Sequence, residues 1–398
     1  VELGRAQPSM QNLRIIAQRL QRPIEYFLED PQLSSVAIEL TLTEAETHLR
    51  RGEAARAEAL ARRLLERSLP IDVVPRAQLI LGNALQRTGA VADSVPIFEA
   101  AIRSAERGGW TGLLVELYDA LSRSYYLLRR PRDAERWLDR ALQLYESAGL
   151  KDPVLKARIL GHRANLHYVT GAPGDAIAAY EAAISAAERG LDMPGLAGIY
   201  QGLALSLQQM GDFSRALGYA QRSLRIIETL DDVRMSAQLR HNMAEMLLRQ
   251  GRPREAEGMF LDAAVRLEQI NDLNLLPLPL AGAAEAALES GRLDRARQLI
   301  DRALGAEPKS TDPLAAIATH RVAGRIRHAS GDTKAAHSHF ERAIADAAGI
   351  GSPDVHGRVA YDYARALEGE GDAAAAALRF REAYESRAAV SLQSQAPG

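Results

Sequence analysis

Small and apolar side chains recur along most of the chain in one frame. Between Asn242 and Ala264 they fall at Ala244, Leu247, Gly251, Ala256, Phe260 and Ala263, with offsets of 3, 4, 5, 4 and 3. Offsets of three and four place side chains on one face of a helix. The five-residue step crosses Gly251, where a first helix should end, because glycine takes the left-handed backbone that other residues adopt only at a cost. The pattern predicts a helix, a tight turn and a second, antiparallel helix. Ala244 and Ala256 are small where the two helices approach, and Phe260 supplies bulk beside them.

The frame occurs nine times. Its turn positions are Gly52, Gly89, Arg129, Gly171, Gly211, Gly251, Gly291, Gly331 and Gly371, spaced by 37, 40 and 42 residues and then by 40 five times. Five residues after each turn stand Ala57, Ser94, Ala134, Ala176, Ala216, Ala256, Ala296, Ala336 and Ala376. Nine after it stand Ala61, Phe98, Leu138, Tyr180, Ala220, Phe260, Ile300, Phe340 and Phe380. The frame resembles the tetratricopeptide repeat (TPR), whose usual period is shorter, about 34 residues. The resemblance implies an all-α, TPR-type antiparallel helical-hairpin solenoid of about nine repeats over residues 38–390, followed by a tail, 391–398. Arg129 departs from glycine, so a less regular turn is expected there, helped by Pro131. Asp152, Asp312 and Ser352 each precede a proline and read as N-caps with proline at the first helical position. Pro277 and Pro279 in LNLLPLPL imply an irregular helix start and a bend between neighbouring repeats.

Residues 1–30 do not fit the frame. Leu13, Ile16, Ala17 and Leu20 have helical spacing, Ser9 is placed to cap that helix, Arg22–Pro23 ends it, and Ile24, Tyr26, Phe27 and Leu28 form a short apolar helix. The run through Glu2, Gly4, Arg5, Pro8, Ser9, Leu13, Ile16, Ala17 and Leu20 resembles the C-terminal part of a Cro/C1-type (XRE) helix-turn-helix domain. By that resemblance, a transcriptional regulator would have its base-reading side chains upstream of Val1, in a domain beginning roughly 35–45 codons earlier. Arg5 would contact only a phosphate, which positions a protein without specifying sequence. This chain by itself is therefore not expected to bind DNA specifically. Residues 31–37 read as a polar linker.

Composition narrows the remaining chemistry. The chain has 398 residues, a net charge of −2 and no cysteine. This offers no global attraction to nucleic acid or membrane, excludes thiolate chemistry and Cys-ligated metal, and fits a reducing cytoplasm. No run approaches the roughly 18 apolar residues of a membrane span. Neither phosphate-binding glycine loop nor G-x-S-x-G nor H-E-x-x-H occurs, so no enzyme, cofactor or metal site is expected. His337 and His339, with His320 and His328 upstream, read as surface histidines whose rings point different ways. Asp231 and Asp232 read as solvated capping residues.

The TPR resemblance places the first helix of each pair on the concave side, with inward positions ten, six and three residues before the turn. Six before gives Glu46, Asn83, Arg123, Asn165, Leu205, Glu245, Glu285, Arg325 and Arg365. Ten before includes Asp119, Gln201, His241, Arg321 and Tyr361, and three before includes Gln86, Tyr126, Tyr168, Gln208 and His328. The candidate ligand groove is accordingly Asn83, Gln86, Arg123, Tyr126, Asn165, Tyr168, Gln201, Gln208, His241 and Glu245. Side-chain amides can donate to and accept from a peptide backbone, and Arg123 suits a carboxylate. A solvated concave face is polar whether or not it binds anything. The expected function is a DNA-binding regulator whose TPR domain senses a peptide or small ligand and mediates homodimerisation; the incompletely capped last repeat, with Phe380, Ala383, Tyr384 and Ala388–Val390, is the expected dimer face. The alternatives are a TPR adaptor without a DNA role and the tail of a larger signalling ATPase, for which the P-loop is lacking.

Overall fold

The computed structural model describes Arg19 and residues 31–395. The helix-turn-helix resemblance, Arg5 and the two short helices expected before residue 30 lie outside the described residues. Eighteen α-helices follow one another with no strand among the described residues: α1 (Pro31–Arg50), α2 (Ala54–Leu65), α3 (Val73–Thr88), α4 (Val91–Gly108), α5 (Thr111–Leu127), α6 (Pro131–Ser147), α7 (Pro153–Val169), α8 (Pro173–Gly190), α9 (Met193–Gln209), α10 (Phe213–Thr229), α11 (Val233–Arg249), α12 (Pro253–Gln269), α13 (Pro277–Glu289), α14 (Leu293–Ala306), α15 (Pro313–Ala329), α16 (Thr333–Ile350), α17 (Pro353–Glu370) and α18 (Ala373–Gln395). They form the nine expected hairpins, in two compact units. Residues up to Leu150 hold three hairpins, α1 to α6, and those from Lys151 hold six, α7 to α18.

The nine turn positions all have positive φ, Gly251 at 70° among them. Two backbone bonds close the turn after α11, Gly251 N–H to Leu248 O (2.9 Å) and Arg252 N–H to Leu247 O (3.0 Å). The turn at Arg129 is as regular as the others, contrary to expectation. Its φ is 58°, and Arg129 N–H to Tyr126 O (3.1 Å) and Arg130 N–H to Tyr125 O (2.9 Å) repeat the same bonds. The hairpin's packing overrides a left-handed penalty of about 1–2 kcal/mol at one residue.

A second left-handed position lies twenty residues after most turns, at Gly109, Gly149, Leu191, Asp231, Asn271 and Gly351. These residues join one hairpin to the next, and three of them are not glycine, so composition does not flag them. Asp231 is such a position. Its neighbour Asp232 caps α11 by accepting from Met235 N–H (2.9 Å). Asp152 and Asp312 cap α7 and α15 in the same way, whereas the Ser352 side chain makes no cap bond at α17. Residues 31–37, expected as a linker, are the opening of α1, since Pro31 suits a first helical turn. Likewise α18 continues to Gln395, into the expected tail.

The alanines five after each turn are buried, as is Ser94, and Phe98, Tyr180, Phe260 and Phe340 are the largest fully buried side chains. Each of these rings lies against a helical glycine: Gly82, Gly202, Gly282 and Gly324 respectively. A Cβ on Gly282 would sit 2.6 Å from the Phe260 ring, so the absence of a side chain allows α13 to close on α12.

Within the second unit, first helices pack on successive first helices, most extensively α13 on α15. That pair is unusual for two reasons legible in sequence. Pro277 opens α13 late and leaves it 13 residues long, with Leu273 to Leu276 in turns before it. The buried Ala281, Ala283, Ala284, Ala286 and Ala287 of α13 also give it a thin profile. The join between α14 and α15 is a 3-10 turn, Glu307–Lys309, pinned where Asn274 Oδ1 accepts from Thr311 N–H (2.6 Å) and Thr311 Oγ1 (2.9 Å).

Candidate functional site

Beside the close approach of α13 to α15 lies a cleft of about 850 Å³ in the second unit. Its walls come from α11, α13, α15 and α17, with Ala383 of α18. Glu245, Leu248, Glu285, Arg321, Arg325 and Tyr361 stand three, six or ten residues before their turns.

The floor is an ion-pair network in which every charge is matched. Glu285 on α13 accepts from Arg321 Nη1 (3.0 Å) and Nη2 (2.6 Å), and also from Arg325 Nη1. Arg321 Nη1 donates in addition to Asp362 Oδ2 on α17 (2.5 Å). The Arg321 and Glu285 side chains are only 11% and 15% exposed. Burial pushes the Glu285 carboxyl upward, but Arg321 and Arg325 outweigh it and hold it down at about 2. Burial opposes charge on Arg321, and Glu285 and Asp362 overcome that and raise it above its ordinary value. An ion pair this dry is costly to break because the surviving partner is left buried and uncompensated. It therefore staples three repeats together and fixes the cleft's shape.

The rim is looser. Arg358 pairs with Asp354 one turn away (3.2 Å). On α11, burial favours the neutral Glu245 acid, but His241, followed by Arg358 and Arg249, lowers it below the ordinary carboxyl value. Tyr361 is 53% exposed and meets the edge of Phe380. A rigid charged floor, a polar rim and an exposed aromatic ring can hold an extended polar chain in a single orientation. They offer no nucleophile paired with a base.

The ten groove candidates divide by unit and by how far they are already engaged. Gln86 is buried, and its amide donates to Ala120 O (2.7 Å) and Ser124 Oγ (2.8 Å), joining the second repeat to the third. Ser124 Oγ also bonds Ser94 Oγ (2.7 Å), so the one serine among the small positions of the frame sits in a polar core contact. Asn165 accepts from the Tyr180 hydroxyl. Arg123 and Tyr168 take part in contacts within the fold. The His241 ring lies on Phe260, with Nε2 3.7 Å from Glu245 and a buried Nδ1 that has no partner. Asn83 and Tyr126 in the first unit, and Gln201 and Gln208 in the second, are half-buried with no hydrogen-bond partner among the described residues. Of the ten, Glu245 lines the cleft. Arg249, Glu289, Asp354, Arg358 and Asp362 lie outside the three-position rule. The available signal for them was the proline- and alanine-rich α13, which moves the concentration of charge towards the last repeats.

The histidines pack more tightly than surface residues. His320 Nδ1 and His339 Nδ1 are 2.9 Å apart across one hairpin, while His337 bonds Tyr363 Oη (3.0 Å) and Glu370 (2.8 Å). Among the described residues no group of three or more His, Asp or Glu is arranged to hold a metal ion, and no helix is long and apolar enough to cross a membrane.

Tetratricopeptide-repeat family models match residues 42–108, 114–148, 195–269 and 241–313, together more than half of the chain. No curated protein matches the chain in sequence. Solved structures match it in fold. The apo form of RapI is 14% identical with a TM-score of 0.74, covering 89% of this chain and 98% of its own. A Rap protein complexed with Competence and Sporulation Factor is 17% identical with a TM-score of 0.60, covering 90% and 99%. The apo form of the quorum sensor NprR from B. thuringiensis is 14% identical with a TM-score of 0.61, covering 90% and 99%. At such identities the likeness shows the fold alone.

Proposed function

The chain belongs to the tetratricopeptide-repeat family, and from that premise we propose that it is a non-enzymatic binding protein that senses an extended peptide in the cleft of its second unit. The observation that carries this reading is the pre-organised cleft itself. Its floor charges are mutually satisfied and held by three repeats, while the rim keeps Tyr361 and Arg249 available and Glu289 only loosely paired with Arg325, so little ordering is required on binding. The uncommitted amides of Gln201 and Gln208, on the inner positions of α9, extend the same polar surface towards earlier repeats, and a side-chain amide meets both the donor and the acceptor of a peptide bond. The complex of a Rap protein with Competence and Sporulation Factor is a precedent for a ligand on this fold.

The test is selection of octapeptides from a displayed random library on the purified chain. Selected peptides should bind saturably in solution. Tyr361→Ala, which removes an exposed ring at the rim, should weaken them by about tenfold, as loss of an aromatic anchor does. Failure to select any binder would remove the peptide reading, and undiminished binding by Tyr361→Ala would remove the cleft.

A regulatory role for the sensor rests on residues 1–30. The Glu2 to Leu20 resemblance supports a DNA-binding regulator, and the exposed Tyr384 and Leu378 on α18 support a homodimer through the last repeat. A longer chain carrying residues upstream of Val1 should bind its own promoter region with steep salt dependence. A monomeric mass by light scattering at micromolar concentration would refute the dimer.

A further inference from the structure

The cleft contains five carboxylates and four guanidiniums, and their partners can be followed one by one. Glu285 and Asp362 are taken by Arg321 and Arg325. Asp354 is taken by Arg358, and Glu245 leans on His241. Two groups remain. Arg249 is exposed and has no hydrogen bond and no ion pair within 4.0 Å among the described residues. Glu289 is approached only by Arg325 Nη2, at 3.6 Å, and that guanidinium is bonded more closely to Glu285. Partial burial and then the neighbouring Glu285 raise the Glu289 carboxyl above its ordinary value, outweighing Arg325.

Arg249 and Glu289 are equivalent residues. Each stands two before the turn of its repeat, on α11 and α13, which are successive inner helices in packing contact. They therefore present one cation and one anion on neighbouring inner helices at the turn end of the same cleft. Arg249 has no ion pair among the described residues, and Glu289 has only a share of the Arg325 guanidinium, which is bonded more closely to Glu285.

We propose that Arg249 and Glu289 are the specificity-determining pair of the cleft, selecting a peptide that carries one acidic and one basic side chain. This rests on the peptide reading above and adds what the peptide must contain. Packed helices lie about 8–10 Å apart, and an extended chain advances about 3.3 Å per residue, so the two side chains stand two or three residues apart. The acid meets the Arg249 guanidinium and the base meets the Glu289 carboxylate. Peptides with the wrong charge at either place leave a group unpaired in the cleft or set like charges together.

The experiment repeats the library selection on Arg249→Gln and Glu289→Gln, using peptides acetylated and amidated at their ends so that terminal charges play no part. Peptides selected on the parent chain are expected to show an acid and a base two or three residues apart. Arg249→Gln should lose the preference for the acid and keep that for the base, and Glu289→Gln should do the reverse. Each variant should bind a parent-selected peptide about tenfold more weakly, as loss of a charged hydrogen bond implies. Hydrogen-exchange protection is expected to be unchanged in Arg249→Gln, whose side chain has no ion pair among the described residues, and to change less than threefold in Glu289→Gln, whose one contact is a long one to an Arg325 bonded more closely to Glu285. Selected peptides without the charge pair, or the same preferences on all three proteins, would overturn this inference while leaving the peptide reading intact. No selected peptides at all would overturn both.

Discussion

Glu285→Gln is the sharpest probe of how the cleft is held. The substitution keeps the side chain's shape and removes its charge, leaving Arg321 with Asp362 alone and Arg325 with only the distant Glu289. A carboxyl held at about 2 instead of its ordinary 4.5 contributes about 3 kcal/mol at neutral pH. That is the low end of the roughly 3–5 kcal/mol lost when a buried pair is broken from one side. The sign with pH follows from the depressed value. The contribution is fully present above the unfolded carboxyl's pKa and is lost as pH falls through the folded one, so it declines between about pH 4.5 and 2. Glutamine has no such decline. The difference between the two proteins should therefore be largest at pH 7 and shrink to about half or less at pH 3. Repeats unfold in part, so the assay is local: hydrogen-exchange protection factors of α13 and α15, which should fall about a hundredfold at pH 7. A change below about threefold at neutral pH, or the same loss at pH 7 and pH 3, would refute the account of the floor as a charge-matched staple.

Two further outcomes test the frame itself. Arg129→Gly should raise local stability by about 0.5–1 kcal/mol, the left-handed penalty relieved less the entropy that glycine loses; no gain in protection of α5 and α6 would show that the φ of 58° carries no strain. Gly282→Ala should destabilise α12 and α13 by about 1–3 kcal/mol through the Phe260 ring, whereas Gly258→Ala, which meets nothing within 4 Å, should be neutral or stabilising by helix propensity. Equal thermal midpoints for these two variants would contradict the close approach.

What the sequence determined by itself is the hairpin and its repetition. A left-handed turn, a small residue five later and bulk nine later are local requirements, so each is written at a fixed offset and nine turns could be placed from spacing alone. Offsets of three and four set a helix face, and six side chains three, six or ten before a turn line the cleft, Glu245 alone among the ten groove candidates. What the inner side chains bond to was not legible. Gln86 has the residue type and register of a groove amide, yet its donor is bonded across to the third repeat, because the distance between neighbouring helices decides which polar side chain reaches which. The left-handed residues Leu191, Asp231 and Asn271 were hidden because packing imposes a conformation that their residue types do not advertise. The charged cleft itself is a tertiary product. Its acids and arginines come from α11, α13, α15 and α17, far apart in the chain, and meet only because an alanine-rich helix, opened late by Pro277, lets α15 approach. Local periodicity determines which face a residue occupies, whereas its partners depend on how closely the next repeat can pack, and that closeness is set by residues elsewhere.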